Sequence, residues 1–272
     1  MPEGPEIRRA ADRVAAALIG PPIGEVYFAF DHLKSYEAAL TGQRVRAVEP
    51  RGKALLIHFD NDLSIYSHNQ LYGVWMVRPR GQLPTTNRQL RLALHGDRQS
   101  ALLYSASDIQ VLTPEEIPAH SFLKKLGPDL LDPATTPEAL VAILRSDRAK
   151  RRRLGAILLD QHLLCGLGNY LRSEALFVAG LRADLRPLDC TDDQLHRLAI
   201  AAIALTRQSY DHNGITNDLA IAQALKAAGQ PRSAYRHWVF ARDGKPCHRC
   251  GQTIVKAIAA GRRYYFCPTC QP

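Results

Sequence analysis

Leu158-Leu159-Asp160-Gln161-His162-Leu163-Leu164-Cys165-Gly166-Leu167-Gly168-Asn169-Tyr170-Leu171-Arg172-Ser173-Glu174-Ala175-Leu176 reads as the end of one helix, a turn held between two glycines and the start of a second helix. The glycines leave backbone N–H groups open at a helix N-terminus, where the dipole and the Asn169 side chain can hold a phosphate. Taken alone, the same stretch reads more economically as a tight helical hairpin. Apolar periodicity places further helices around it at 137–144, 155–164, 191–210 and 217–228, with the second helix of the turn over 169–179. The middle of the chain is therefore helical.

Toward the N-terminus the pattern changes. Ile7, Ala10, Ala11, Val14 and Leu18 form one apolar stripe of an amphipathic helix over 3–19, stopped by Gly20-Pro21-Pro22. From there to about residue 113 the apolar runs are short and β-rich: 26–28, 45–48, 54–57, 63–66, 90–94 and 102–104, with turn residues between them. That pattern predicts a sandwich or barrel.

Toward the C-terminus lie Cys247-x2-Cys250 and, after 16 residues, Cys267-x2-Cys270. Two such knuckles supply the four thiolates of a tetrahedral structural Zn²⁺, and the spacer is long enough for two short strands turning near Ala259-Ala260-Gly261. A closed four-cysteine site has no open coordination position, so it holds shape and performs no chemistry. In a reducing compartment two disulfides are the poorer reading. Cys165 and Cys190 are left over and are expected to be buried, inert thiols. The fold class is thus α+β: an N-terminal β-sandwich with a flanking helix (1–118), a helical helix-two-turns-helix domain (119–235) and a C-terminal zinc ribbon (236–272).

Among 272 residues, 46% are hydrophobic and 22% charged, which excludes a disordered or fibrous chain. There are 35 Lys and Arg against 26 Asp and Glu, a net charge of +9, which suits a polyanionic partner. Six positives crowd 145–153 against Asp147, and eight lie between Arg232 and Arg263 against Asp243. Beside a metal module, two such clusters favour a nucleic-acid surface over an ordinary solvated face. No apolar run reaches the roughly 18 residues that cross a bilayer, so no membrane partner is expected. Met-Pro-Glu-Gly-Pro-Glu is acidic where a signal peptide is basic, and the cytoplasm is the expected location.

The same start carries a chemical possibility. Loss of Met1 exposes Pro2 as a secondary α-amine, and such amines titrate near pH 8, so a useful fraction is nucleophilic at neutral pH. Attack on a masked aldehyde gives a Schiff base, with Glu3 beside the amine to exchange protons and Glu6 one turn on. Proline and acids in a first helical turn are also ordinary capping. Lys53, in Arg51-Gly52-Lys53-Ala54-Leu55, leads into a buried strand and reads either as a phosphate contact or as a strand-edge lysine.

Pro2-Glu3-Gly4-Pro5-Glu6-Ile7, Arg51-Gly52-Lys53, Gly166-Leu167-Gly168-Asn169-Tyr170 and the ribbon ending Cys267-Pro268-Thr269-Cys270-Gln271 occur in this order over essentially the whole chain. Together they resemble the formamidopyrimidine-DNA glycosylase and endonuclease VIII family of bifunctional repair enzymes. The resemblance implies that Pro2 attacks the deoxyribose C1′ of a damaged nucleotide, that Glu3 protonates the ring oxygen, and that Lys53 holds a phosphate. It implies phosphate contacts by Asn169 and Arg262, with His68 a further one, and elimination on both sides of the sugar. Gln70-Leu71-Tyr72 looks like the triplet that fills the void left by the flipped nucleotide, although the local sequence fits a hairpin stacked on its own core equally well.

Gly4 and the Gln-Leu-Tyr triplet resemble the endonuclease VIII branch, which implies oxidised pyrimidines as substrates, damaged duplex DNA as partner, a monomer, and association with the nucleoid. Two features depart from the family pattern. The segment 211–235 is long, with an extra helix expected at 217–228, and Arg263 follows Arg262 where proline is expected. Competing readings are an oxidised-purine glycosylase of the same family, a zinc-ribbon protein that binds damaged DNA without cutting, and an RNA or translation factor. The last leaves the N-terminus and the glycine turn unexplained.

Overall fold

The computed structural model describes residues 2–272. They divide into two compact units at 125/126. Helix α1 (Gly4–Leu18) takes Pro5 in its first turn, and the Glu6 carboxylate accepts the Glu3 amide at 3.0 Å, satisfying one of the N–H groups a helix start leaves open. Strand β1 (Glu25–Phe28), helix α2 (Ser35–Leu40) and strands β2 (Val45–Arg51), β3 (Ala54–Phe59), β4 (Ser64–His68), β5 (Val74–Pro79), β6 (Leu90–His95), β7 (Gln99–Tyr104) and β8 (Asp108–Leu112) follow. They form two antiparallel sheets, ordered β1-β6-β7-β5 and β2-β3-β4-β8.

Strand alternation explains the layering. Leu55, Ile57 and Phe59 of β3 point into one core with Ile65, Leu92, Leu94, Leu103 and the α1 stripe Ile7, Ala10, Ala11, Val14 and Leu18. Each Leu or Ile so buried contributes about 1.5–3 kcal/mol relative to exposure. The outward residues Ala54, Leu56, Tyr66 and Leu112 are covered by Ile117, Phe122 and Leu123, from the short helix α3 (Glu116–Ala119) and the turn after it. This cover carries the first unit to residue 125, past the boundary expected at 118. Strands β5 and β8, absent from the sequence reading, are sheet edges, where burial on one side only weakens the apolar pattern.

The second unit holds α4 (Pro137–Arg145), α5 (Leu154–Ile157), α6 (Asn169–Ala179), α7 (Asp192–Asp211), α8 (Leu219–Ala227), α9 (Arg232–Tyr235) and the hairpin β9 (Val255–Ala259) and β10 (Arg262–Phe266). Thr191 caps α7, its Oγ accepting the Gln194 amide while Gln194 accepts the Thr191 amide. The helix expected over 155–164 is only one turn long. Beyond it Asp160 accepts the His162 amide at 3.0 Å, and Gln161 accepts the Gly166 amide and donates to the Leu159 and Leu167 carbonyls. Side chains thus meet the backbone's hydrogen-bonding needs in turns and end the helix early. Tyr264 and Phe266 of the ribbon sit in the same core as the helices, which explains why the ribbon does not separate as a unit of its own. Cys165 and Cys190 are buried and take part in no disulfide. No helix among the described residues is long and apolar enough to cross a membrane.

Candidate catalytic and nucleic-acid-binding site

In the first unit, Glu3 is 2% exposed and directly follows the half-buried Pro2. Glu6 spends its carboxylate on the Glu3 amide and on Arg9, 3.0 Å away, so its work is to fix the helix start. Helix α1 packs on β2 and β3, the strands joined by the two-residue turn Gly52-Lys53. Lys53 is 6% exposed. A buried ammonium is costly unless an anion or dipole meets it, so its burial marks it off from a strand-edge lysine.

Ala54, next to Lys53, pairs with His68, and His68 pairs in turn with Asp108. Burial holds the His68 imidazole below its ordinary range and the Lys53 charge acts in the same sense, while Asp108 opposes them. The Gln70 amide donates to His68 Nδ1 at 3.0 Å, which puts the proton of the neutral ring on Nε2 and makes that atom a donor. Phe122 stands edge-on to the ring at 5.2 Å. Asp108 accepts from Gln110 at 3.2 Å and from the Tyr66 hydroxyl at 3.4 Å, and burial raises the Tyr66 phenol far above its ordinary value.

The predicted void-filling triplet lies in the turn between β4 and β5. Leu71 and Tyr72 are 56% and 67% exposed, so they do not stack on the protein's own core. The turn that carries them is nevertheless held tightly: the Gly73 amide donates to the Asn69 carbonyl at 2.7 Å, the Ser107 hydroxyl donates to the Gln70 side-chain Oε1 at 2.7 Å, and Arg88 donates to the Tyr72 carbonyl at 2.6 Å. A Cβ at Gly73 would lie 2.6 Å from the Asn69 carbonyl oxygen, so only glycine closes this turn. Two apolar side chains therefore stand in solvent on a fixed loop.

In the second unit, Asn169 opens α6, and its side chain is already engaged. Its Nδ2 donates to the Arg263 carbonyl at 2.7 Å and its Oδ1 accepts from Arg172 at 2.7 Å. Arg172 is fully buried and also donates to the carbonyls of Arg263 at 2.9 Å, Ala259 at 2.8 Å and Gly155 at 3.2 Å. Asn169 and Arg172 thus fix the ribbon tip to the N-terminus of α6, and Arg262 projects from that tip, exposed. Glu174, also fully buried, accepts from the Thr216 hydroxyl and from the amides of Trp238, Val239 and Phe240 at 2.6–2.9 Å. Burial pushes its carboxyl up, and the four donors oppose that. Sequence reading passed over Arg172 and Glu174. The signal was their presence within an apolar helix: a helix buried on all sides cannot hold charges without partners.

The four ribbon sulfurs lie within 4.8 Å of one another, with Cys250 and Cys267 at 3.4 Å and Cys247 and Cys270 at 4.0 Å. A tetrahedron of Zn–S bonds near 2.3 Å has edges of about 3.8 Å, so the cluster fits one Zn²⁺. The Gln252 backbone lowers the Cys250 thiol to about 7, whereas burial raises Cys267 and Cys270. Four thiolates at this spacing need a cation among them. Gln271, fully buried, accepts the Cys267 amide and donates to the Leu181 carbonyl, tying the second knuckle to the end of α6.

Three family models match in chain order: the formamidopyrimidine-DNA glycosylase N-terminal domain over 1–107, its H2TH domain over 126–219, and the zinc finger found in FPG and IleRS over 244–272. Endonuclease 8 of Escherichia coli strain K12 / DH10B is 49% identical over 271 residues, covering 100% of both chains, as is that of strain CFT073. Among solved structures, a Lactococcus lactis formamidopyrimidine-DNA glycosylase bound to DNA containing an AP site superposes with a TM-score of 0.80 at 19% identity over 99% of each chain. The same protein with DNA carrying an oxidised pyrimidine gives 0.82 at 20%, again over 99% of each.

Proposed function

The chain belongs to the formamidopyrimidine-DNA glycosylase and endonuclease VIII family of DNA glycosylases with AP lyase activity, and from that membership we propose that it excises oxidised pyrimidines from duplex DNA through a Schiff base on Pro2. In this reading the Pro2 nitrogen attacks C1′, the glycosidic bond breaks, and the base departs with its electron pair. Glu3 gives a proton to the ring oxygen as the sugar opens to the iminium. Loss of a C2′ proton then expels the 3′ phosphate, and a second elimination expels the 5′ one, leaving a one-nucleotide gap. Lys53 and the Nε2–H of His68 grip a phosphate beside the reacting sugar. Arg262, with the helix start at Asn169, grips others. Gln70, Leu71 and Tyr72 take the place of the everted nucleotide.

The observation that carries this reading is the closely bonded Gln70–Gly73 turn, which begins two residues after His68 and presents two exposed apolar side chains, while the buried Lys53 adjoins Ala54, the register partner of His68. A protein that merely bound distorted DNA has a use for such a wedge but none for a buried lysine. The triplet's likeness to the endonuclease VIII branch supports pyrimidine lesions over purine ones. The reading further assigns chemistry to 1–118, duplex docking to 119–235 and the ribbon contact to 236–272, in a monomer acting at the nucleoid in the cytoplasm. Duplexes carrying either one thymine glycol or one 8-oxoguanine test it. Faster cleavage at thymine glycol is expected, and faster cleavage at 8-oxoguanine assigns the protein to the purine class instead.

A further inference from the structure

The ribbon tip carries two adjacent arginines that the strand register sends to opposite sides. Arg262 pairs with Ala259, Arg263 with Ile258, Tyr264 with Ala257 and Tyr265 with Lys256. Paired residues share a face and successive residues alternate. One face therefore carries Arg262 in line with Tyr264 and Phe266, whose rings are in the helical core. The other carries Arg263 and Ile258 in line with Lys256 and Tyr265.

Toward the tip this second face is basic and open, while Tyr265 at its other end packs in an apolar cluster. Ile258 is 70% exposed, and no carboxylate lies within 4.0 Å of the Arg263 guanidinium among the described residues. The nearby acid, Asp243, feels the Arg263 charge but gives its carboxylate to Lys256 at 2.7 Å, so a positive charge is left over. The backbone beneath is fixed. Ala260 and Gly261 both have positive φ, the type I′ pattern that matches strand twist, and the Arg263 carbonyl is held by Asn169 and Arg172. A lone exposed isoleucine is unremarkable, but one paired across the hairpin with an uncompensated arginine is a built surface.

We propose that Arg263 and Ile258 form a second DNA-backbone contact of the ribbon, taking a phosphate other than the one Arg262 takes, with Ile258 against the adjoining deoxyribose. The inference rests on the DNA-binding reading above. It predicts that the tip engages the backbone from both faces of the hairpin, which lengthens the footprint by one phosphate.

Binding to a duplex containing a tetrahydrofuran abasic analogue, which is not cleaved, tests this apart from catalysis. Between about 50 and 200 mM salt, Arg263→Gln is expected to reduce the slope of log affinity against log salt by about 0.9, the value of one phosphate, while Arg263→Lys retains it. Ile258→Asn is expected to weaken binding without changing the slope. Phosphate-ethylation interference should lose one position in Arg263→Gln and a different one in Arg262→Gln. An unchanged slope in a zinc-loaded Arg263→Gln protein, or loss of the same phosphate in both variants, overturns the proposal. Failure of the unmutated protein to bind this duplex would instead overturn the DNA-binding reading itself.

Discussion

The imidazole of His68 is pulled in opposite directions by its neighbours. Burial and Lys53 favour the neutral ring, Asp108 favours the charged one, and the Gln70 amide requires a bare Nδ1. An NMR titration should find it below 6.5, rising in Lys53→Gln and falling further in Asp108→Asn. Because the native value is depressed, the unfolded chain takes up the proton first as pH falls. This contribution to stability is whole above 6.5 and is lost as pH drops through the native value. Glu174→Ala would leave three amides without an acceptor inside the second unit, at about 1–3 kcal/mol for each unmet donor, while the Thr216 hydroxyl keeps His237 Nδ1 at 2.8 Å. Urea unfolding should show a loss of at least about 3 kcal/mol, and a loss under 1 would contradict the role given to this carboxylate. The cysteines were legible in sequence because their chemistry is written in short spacings, whereas Lys53 read equally as a strand-edge lysine and gained a role only through the resemblance of the whole motif set. Arg172 and Glu174 were not legible, since their partners lie up to 91 positions away in the chain.

Elements differ in how openly sequence declares them. The α1 stripe and the Thr191 cap are local signals, and both helices form where expected. The helix over 155–164 fails because Asp160 and Gln161 satisfy the backbone in another way, a competition that apolar periodicity does not register. At the ribbon turn Ala260 has φ +51°, a region costly for a residue with a Cβ. Ala260→Asn should stabilise the zinc-loaded protein by roughly 1 kcal/mol, read as a higher thermal midpoint, and a lower midpoint would show that the turn bears no strain. In the wedge turn, Leu71→Ala and Tyr72→Ala touch exposed side chains and should change stability by no more than about 0.5 kcal/mol. Base excision should fall much more than cleavage at a pre-formed abasic site, where no base remains to be removed.

Over the whole molecule, four short motifs in a fixed order, Pro2–Ile7, Arg51–Lys53, Gly166–Tyr170 and the four-cysteine ribbon, made the family legible before any coordinates, while the net charge of +9 pointed only to a polyanionic partner. What sequence could not give was how the ribbon and the helical turn share a core through Tyr264, Phe266 and Arg172. That sharing makes zinc matter beyond its own knuckles. Cys250→Ser, or chelation, should release the metal and weaken duplex binding by freeing the tip that carries Arg262, with the β-rich unit still folded by circular dichroism. A metal-free protein that binds and cuts normally would contradict this. The mechanism as a whole stands on the amine of Pro2, and borohydride reduction on a duplex with one oxidised pyrimidine, followed by mass spectrometry of the linked peptide, reads it directly. A crosslink at Pro2, lost in Pro2→Gly, is the expected result; tight binding to the same duplex without any crosslink, or a crosslink at another residue, would contradict it.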